Sequence, residues 1–177
     1  PHRTFQEYLA ARYLTSNQVD YPDKIAELLR SDPGRWREVA LLAIAKAAEG
    51  YGSSVWNMVD GFCPYLPSDV KFSEKDGWGA QIAGQGLLES AKLENLNERN
   101  QEKVDRVRQG LIYVMRSGNF APNERALAGR TLSALGDPRF NANTWFLPAD
   151  EMLGFIEIPQ GEFMMGSNKQ IDPDARD

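Results

Sequence analysis

Asp32-Pro33-Gly34-Arg35-Trp36-Arg37-Glu38-Val39-Ala40-Leu41-Leu42-Ala43-Ile44-Ala45-Lys46-Ala47-Ala48-Glu49-Gly50 decides the fold class, because it carries a helix start, a broad apolar face and a helix stop in succession. Asp32 can accept from the first free amides, and Pro33 suits the opening position, where its missing N–H costs nothing. Trp36, Val39, Ala40, Ala43, Ile44 and Ala47 then recur at i, i+3, i+4, i+7, i+8 and i+11, the period of one helical face. Leu41 and Leu42 widen that face until Gly50 stops it. A face so wide predicts burial on more than one side and makes this helix the expected centre of the core.

Toward the N-terminus, Pro22-Asp23 introduces a short helix with Ile25, Leu28 and Leu29 as its apolar edge, broken by Ser31 to Gly34. Before it, Thr4 followed by Glu7 has the spacing of a capping box, which predicts a helix beginning at Phe5. Phe5, Tyr8, Leu9 and Tyr13 share one face of that helix and are expected to pack on the helical body. His2 is left just outside the helix, beside its partly positive end.

Toward the C-terminus, Ser53 or Ser54 can cap a helix bearing Val55, Trp56, Val59 and Phe62, limited by Gly61, Pro64 and Pro67. From Lys75, Trp78, Ile82, Leu87, Leu88 and Ala91 keep helical spacing despite Gly77, Gly79, Gly84 and Gly86. Each glycine costs about 1 kcal/mol against alanine in a helix interior, and in exchange allows close helix packing. Glu98 to Arg116 reads as a strong helix with Val104, Val107, Leu111, Val114 and Met115 as its buried stripe and a Glu102–Arg106 pair at i, i+4. Its charged run, Glu98 to Arg108, reads as a solvated face. Pro122 opens a last helix with Leu127, Ala128, Leu132 and Leu135 inward, stopped by Gly136-Asp137-Pro138.

Trp145, Phe146 and Pro148 mark a connection, Asn141 to Leu153, whose aromatics are expected to pin it to the helices. Phe155 to Pro159 then alternates as a half-buried strand, Gln160-Gly161 supplies a turn, and Glu162 to Gly166 reads as the hairpin partner. Asp172, Asp174 and Asp177 read as an acidic tail rather than a calcium site. The expected fold class is therefore mainly α, an irregular helical bundle or a HEAT-like helical array, with a short C-terminal β-hairpin.

A chain of 177 residues with 42% hydrophobic and 25% charged residues is long enough for a sizeable core. A net charge of -5 without a basic stripe argues against nucleic acid. The single cysteine, Cys63, excludes an internal disulfide, suits a reducing compartment and reads as a small buried apolar residue. One His and one Cys give no convincing metal set. No apolar run approaches the roughly 20 residues that span a bilayer, and no signal-peptide pattern opens the chain, so the expected location is cytoplasmic.

Three stretches carry resemblances. His2-Arg3-Thr4-Phe5-Gln6-Glu7-Tyr8-Leu9-Ala10-Ala11 resembles the H-x-T-F-Q-E-Y-x-A-A signature of NACHT-type signal-transduction (STAND) NTPases, which closes the winged-helix part of their nucleotide module. That resemblance implies that His2 touches the β-phosphate of bound ADP in the resting state, with ATP/ADP and Mg as cofactors of the parent protein. No G-x-x-x-x-G-K-[ST] loop occurs here, so no phosphate-holding Lys or Mg-binding hydroxyl is expected within these residues. With no initiator Met, the chain reads as a piece beginning at the far edge of a nucleotide module. Glu124 to Arg139 resembles the closing helix of HEAT-like repeats, though no sequence self-similarity between units is evident. Ile156-Glu157-Ile158-Pro159-Gln160-Gly161-Glu162-Phe163-Met164-Met165-Gly166-Ser167 resembles the I-P-x-G-x-F-x-M-G-S opening of the formylglycine-generating-enzyme, or sulfatase-modifying-factor, family, whose catalytic cysteines would lie downstream.

Together these imply an end of a NACHT module at 1–15, a helical regulatory domain at 16–140, a linker at 141–154 and the start of a sulfatase-modifying-factor-like domain at 155–177. The expected function is a non-catalytic coupling segment between a nucleotide switch and a C-terminal effector or recognition domain, with protein partners or self-association and no membrane. A piece of a formylglycine-generating-enzyme-like enzyme, and a helical protein-interaction scaffold, remain as alternatives.

Overall fold

The computed structural model describes residues 2–17, 21–50, 53–67, 70–148, 150–162 and 170. Among them the chain is mainly α, with seven helices followed by a short antiparallel pairing of two strands. The helices are α1 (Arg3–Asn17), α2 (Tyr21–Ser31), α3 (Pro33–Ala48), α4 (Ser53–Phe62), α5 (Glu74–Ser90), α6 (Glu98–Arg116) and α7 (Pro122–Leu135). Backbone contacts divide the chain into two units, Pro1–Pro138 and Arg139–Asp177.

In the first unit, α3 starts as its sequence dictates. The Asp32 carboxylate accepts from the Arg35 amide at 3.1 Å, Pro33 opens the helix, and Val39, Ala40, Ala43 and Ile44 are buried. The centre of the core, however, is α5. It packs against α2, α3, α4, α6 and α7, and Ala80, Gln81, Ile82 and Ala83 are consecutive and wholly buried. A helix buried all round is the middle of a body. The partners of α5 are helices within three places of it in the chain, which an irregular bundle and a HEAT-like array both allow.

Two glycines explain how α5 is enclosed. A Cβ on Gly79 would land on the carbonyl oxygen of Phe62 at the end of α4, and a Cβ on Gly110 of α6 would land on the Cβ of Ala80. Glycine thus lets α4 and α6 approach α5 closely, which its low helix propensity opposes locally. The start of α5 is fixed by a capping box, Ser73 with Asp76, so the helix begins at Glu74, one residue before the expected Lys75. Arginines from neighbouring helices finish three helix ends: Arg30 of α2 donates to the Gly61 carbonyl at 3.2 Å, Arg125 of α7 to Met115 at 2.9 Å, and Arg108 of α6 to Leu135 at 3.1 Å. Each places a cation on carbonyls that lack intrahelical partners.

The interior also holds a polar link between three helices. Arg37 of α3 donates to both Glu124 oxygens of α7 at 3.0 Å, and the wholly buried Gln81 of α5 donates to the same carboxylate. Glu124 therefore has two buried or half-buried donors depending on it.

Several expectations are corrected. The helix at the N-terminus starts at Arg3, not Phe5, and no Thr4–Glu7 box forms: Thr4 lies inside the helix, and Glu7 accepts from Arg3 Nε at 2.7 Å. Phe5, Tyr8, Leu9 and Tyr13 are not the buried face of the helix, being 57%, 49%, 45% and 60% exposed, whereas Ala11 and Leu14 are buried. Ser54 lies within α4 rather than capping it, and the side chain of Ser53 is outside the described residues. Glu102 and Arg106 do not pair, because Arg106 reaches Asp60 at 2.6 Å instead. The run Glu98 to Arg108 is not simply solvated, since Lys103 is 4% exposed.

In the second unit, β1 (Phe140–Asn141) pairs antiparallel with β2 (Leu147–Pro148), Phe140 opposite Pro148. The Asn141 side chain accepts from the Asn143 amide at 2.9 Å and starts a single 3-10 turn between them. Trp145 and Phe146 follow with φ of 55 and 57, a left-handed conformation that bulky residues rarely adopt. They are 90% and 68% exposed. Phe155 to Pro159 belongs to no strand, with Ile156 and Ile158 each 87% exposed. Phe163 to Ser167, and with them most of the expected hairpin partner, lie outside the described residues, as do Asp172, Asp174 and Asp177.

Candidate functional site

His2, the one site residue the sequence singled out, sits at the N-cap of α1. Its carbonyl accepts from the Phe5 amide at 3.1 Å and the Gln6 amide at 3.3 Å. Those bonds leave the Arg3 and Thr4 amides without an acceptor among the described residues, facing outward at the positive end of the helix. The imidazole is exposed beside them. One imidazole and two amides form a donor set that fits a single phosphate group. The set does not fit Mg: the nearest carboxylate on the helix, Glu7, is already held by Arg3.

The start of α1 is seated against the start of α3. Arg3 Nη2 donates to the Gly34 carbonyl at 3.4 Å, and a cleft of about 490 Å3 lies between the two helices. Arg3, Gln6, Arg35 and Trp36 line it together with Glu7 and Asp32. The Arg35 guanidinium lies 5.5 Å from the centre of the Trp36 ring, a cation–π contact that holds Arg35 over the indole. Glu7 and Asp32 are occupied by their own helix contacts, so the cleft offers cations and an indole face rather than a free base. Nothing in it supplies a nucleophile with an adjacent activating base.

Cys63, the remaining reactive residue type, is 3% exposed. Burial pushes its thiol up from 9.0 to about 11, with the nearby Arg106 pulling slightly the other way. It is a neutral, packed side chain at ordinary pH.

A second polar cluster was not anticipated. Asp60 of α4 accepts from Lys103 Nζ at 2.5 Å and from Arg106 Nη2 at 2.6 Å, and Lys103 also donates to the Trp56 carbonyl at 3.1 Å. The signal was present in the register, since Lys103 falls on the same helical face as Val107, Gly110, Leu111 and Val114, all of which are buried. A lysine on a buried stripe requires a partner on the facing helix.

Set against protein-family models, curated proteins and solved structures, the chain matches none. Among the described residues no helix is long and apolar enough to cross a membrane.

Proposed function

We propose that this chain is the helical coupling segment of a NACHT-type signalling NTPase, joining a nucleotide switch at its N-terminal side to an effector or recognition domain at its C-terminal side. The observation that carries the reading is the double-sided α1. Ala11 and Leu14 tie it inward to α2 and α3, while Phe5, Tyr8 and Leu9 face outward. A helix that is apolar on two sides suits a junction between two bodies. The H-x-T-F-Q-E-Y-x-A-A resemblance supplies the occupant of the outer side, the nucleotide module that this signature closes.

In this reading His2 and the free amides of α1 contact the β-phosphate of ADP, and ATP/ADP and Mg belong to the parent module. Replacing ADP changes the seating of α1, and the glycine-tight bundle carries the change as a rigid body. The second unit fits the start of a sulfatase-modifying-factor-like domain, in which Phe155, Ile156 and Ile158 would be covered by the rest of that fold. Protein partners, a cytoplasmic location and no catalysis by these residues alone complete the proposal.

The reading frame that encodes these residues tests it at once. A G-x-x-x-x-G-K-[ST] loop is expected on the N-terminal side, and a frame without one would overturn the proposal.

A further inference from the structure

We infer that the cleft between the ends of α4, α5 and α6 is a binding site for a small organic phosphate. The cleft has a volume of about 610 Å3, within the range of small-molecule sites. Lys92, Arg99 and Lys103 line it with Asn57, Asn97 and Trp56, and no carboxylate is among its lining residues. Such a set is selective in a chain whose formal net charge is -5.

The charge balance beneath the cleft points to an anion. Lys103, 4% exposed, shares one carboxylate, Asp60, with Arg106. Buried charge is costly unless balanced. The Lys103 ammonium donates to the Trp56 carbonyl and to Asp60, and Lys103 also lines the cleft. Lys92 and Arg99 make no ion pair or hydrogen bond to a described residue.

The start of α6 contributes a further set of donors. Asn97 caps it, its side chain accepting from the Asn100 amide at 2.9 Å and its carbonyl from Gln101 at 2.9 Å. The Glu98 and Arg99 amides are left without an acceptor among the described residues. Two exposed cations, a buried ammonium and two helix-start amides together match the oxygens of a phosphate dianion. Trp56 and the methyl groups of Ala48 and Ala91, which also line the cleft, match an apolar or aromatic body attached to it.

The test is amide NMR of the whole chain titrated with inorganic phosphate and, separately, with phenyl phosphate, ionic strength being held constant with chloride. Saturable shifts of the Glu98 and Arg99 amides are expected, with phenyl phosphate binding at least tenfold tighter than inorganic phosphate. Lys92→Ala with Arg99→Ala should weaken both at least tenfold. Lys75→Ala with Arg130→Ala, which removes the same charge elsewhere on the surface, should leave both unchanged. Shifts that merely follow ionic strength, or that survive loss of Lys92 and Arg99, would overturn the site. Equal affinity for the two phosphates would overturn the organic ligand.

Discussion

Gly79→Ala sets helix propensity against packing, and the two can be weighed. In an open helix the change would stabilise by about 1 kcal/mol. At position 79 the added methyl would meet the Phe62 carbonyl oxygen, which is backbone and cannot rotate away. Phe62 is itself wholly buried, and its carbonyl lies 3.4 Å from Arg30 Nη2, so α4 can yield only by moving as a unit. Overpacking of a filled core costs about 1–3 kcal/mol and sometimes more, and a backbone collision lies at the upper end. A net loss of about 1–3 kcal/mol follows, which for a chain of this size lowers the midpoint of thermal unfolding by roughly 3–10 °C. Urea unfolding followed by far-UV circular dichroism measures it directly, with an unchanged m-value expected. Gly118→Ala is the control, since a Cβ there meets nothing within 4 Å, and it should shift stability by no more than about 0.5 kcal/mol. A Gly79→Ala chain as stable as the wild type would refute the close approach of α4 and α5.

Three further outcomes are expected. The Cys63 thiol, raised from 9.0 to about 11 by burial, should resist alkylation in the folded chain at pH 8 and react on unfolding. Its contribution is complete below about pH 9, and it declines as the pH rises toward 11 because the unfolded chain ionises first; the loss, about 2–3 kcal/mol at most, should be absent in Cys63→Ala when stabilities are compared at pH 8.5 and 11. Asp60→Ala strips the counter-charge from Lys103 and should cost about 2–3 kcal/mol in urea unfolding, discounted from the 3–5 kcal/mol of a fully buried pair because Asp60 is 38% exposed; a loss under 0.5 kcal/mol, roughly that of an ordinary surface change, would contradict the cluster. Phe5→Ser with Leu9→Ser should leave the stability of this chain within about 0.5 kcal/mol; under the proposed coupling role it should also speed ADP release from the whole polypeptide about tenfold or more, equivalent to about 1.4 kcal/mol of lost contact.

Features set by neighbours in sequence were legible. Asp32 and Pro33 announce the start of α3, and the stripe Val104, Val107, Leu111 and Val114 is buried as its spacing requires. Choices between competing partners were not. Glu102 stands one turn before Arg106, but Asp60 offers Arg106 a less exposed, shared carboxylate across the α4–α6 contact, and no periodicity shows that. Glu7 could serve Thr4 or Arg3, and the guanidinium forms the stronger, charge-assisted bond. On α1 two apolar stripes compete for the interior, and the small residues Ala10 and Ala11 win because they let the helix lie close to its neighbours. Gly77, Gly79, Gly84 and Gly86 pointed to close packing, yet their low propensity disguised α5 as a weak helix when it is the axis of the bundle. The α4–α6 cluster was missed for the same reason as Arg106: its members are distant in sequence, and only Lys103 on a buried stripe betrayed it.

The proposed nucleotide role of the α1 start is tested most directly by the ADP content of the whole polypeptide that carries this chain. Purified, denatured and analysed by ion-exchange chromatography, the wild type should release ADP in stoichiometric amount, and His2→Ala should retain it poorly and release it at least tenfold faster. A protein that holds no adenine nucleotide, or a His2→Ala variant that keeps ADP as firmly as the wild type, would contradict the assignment of His2 to the phosphate.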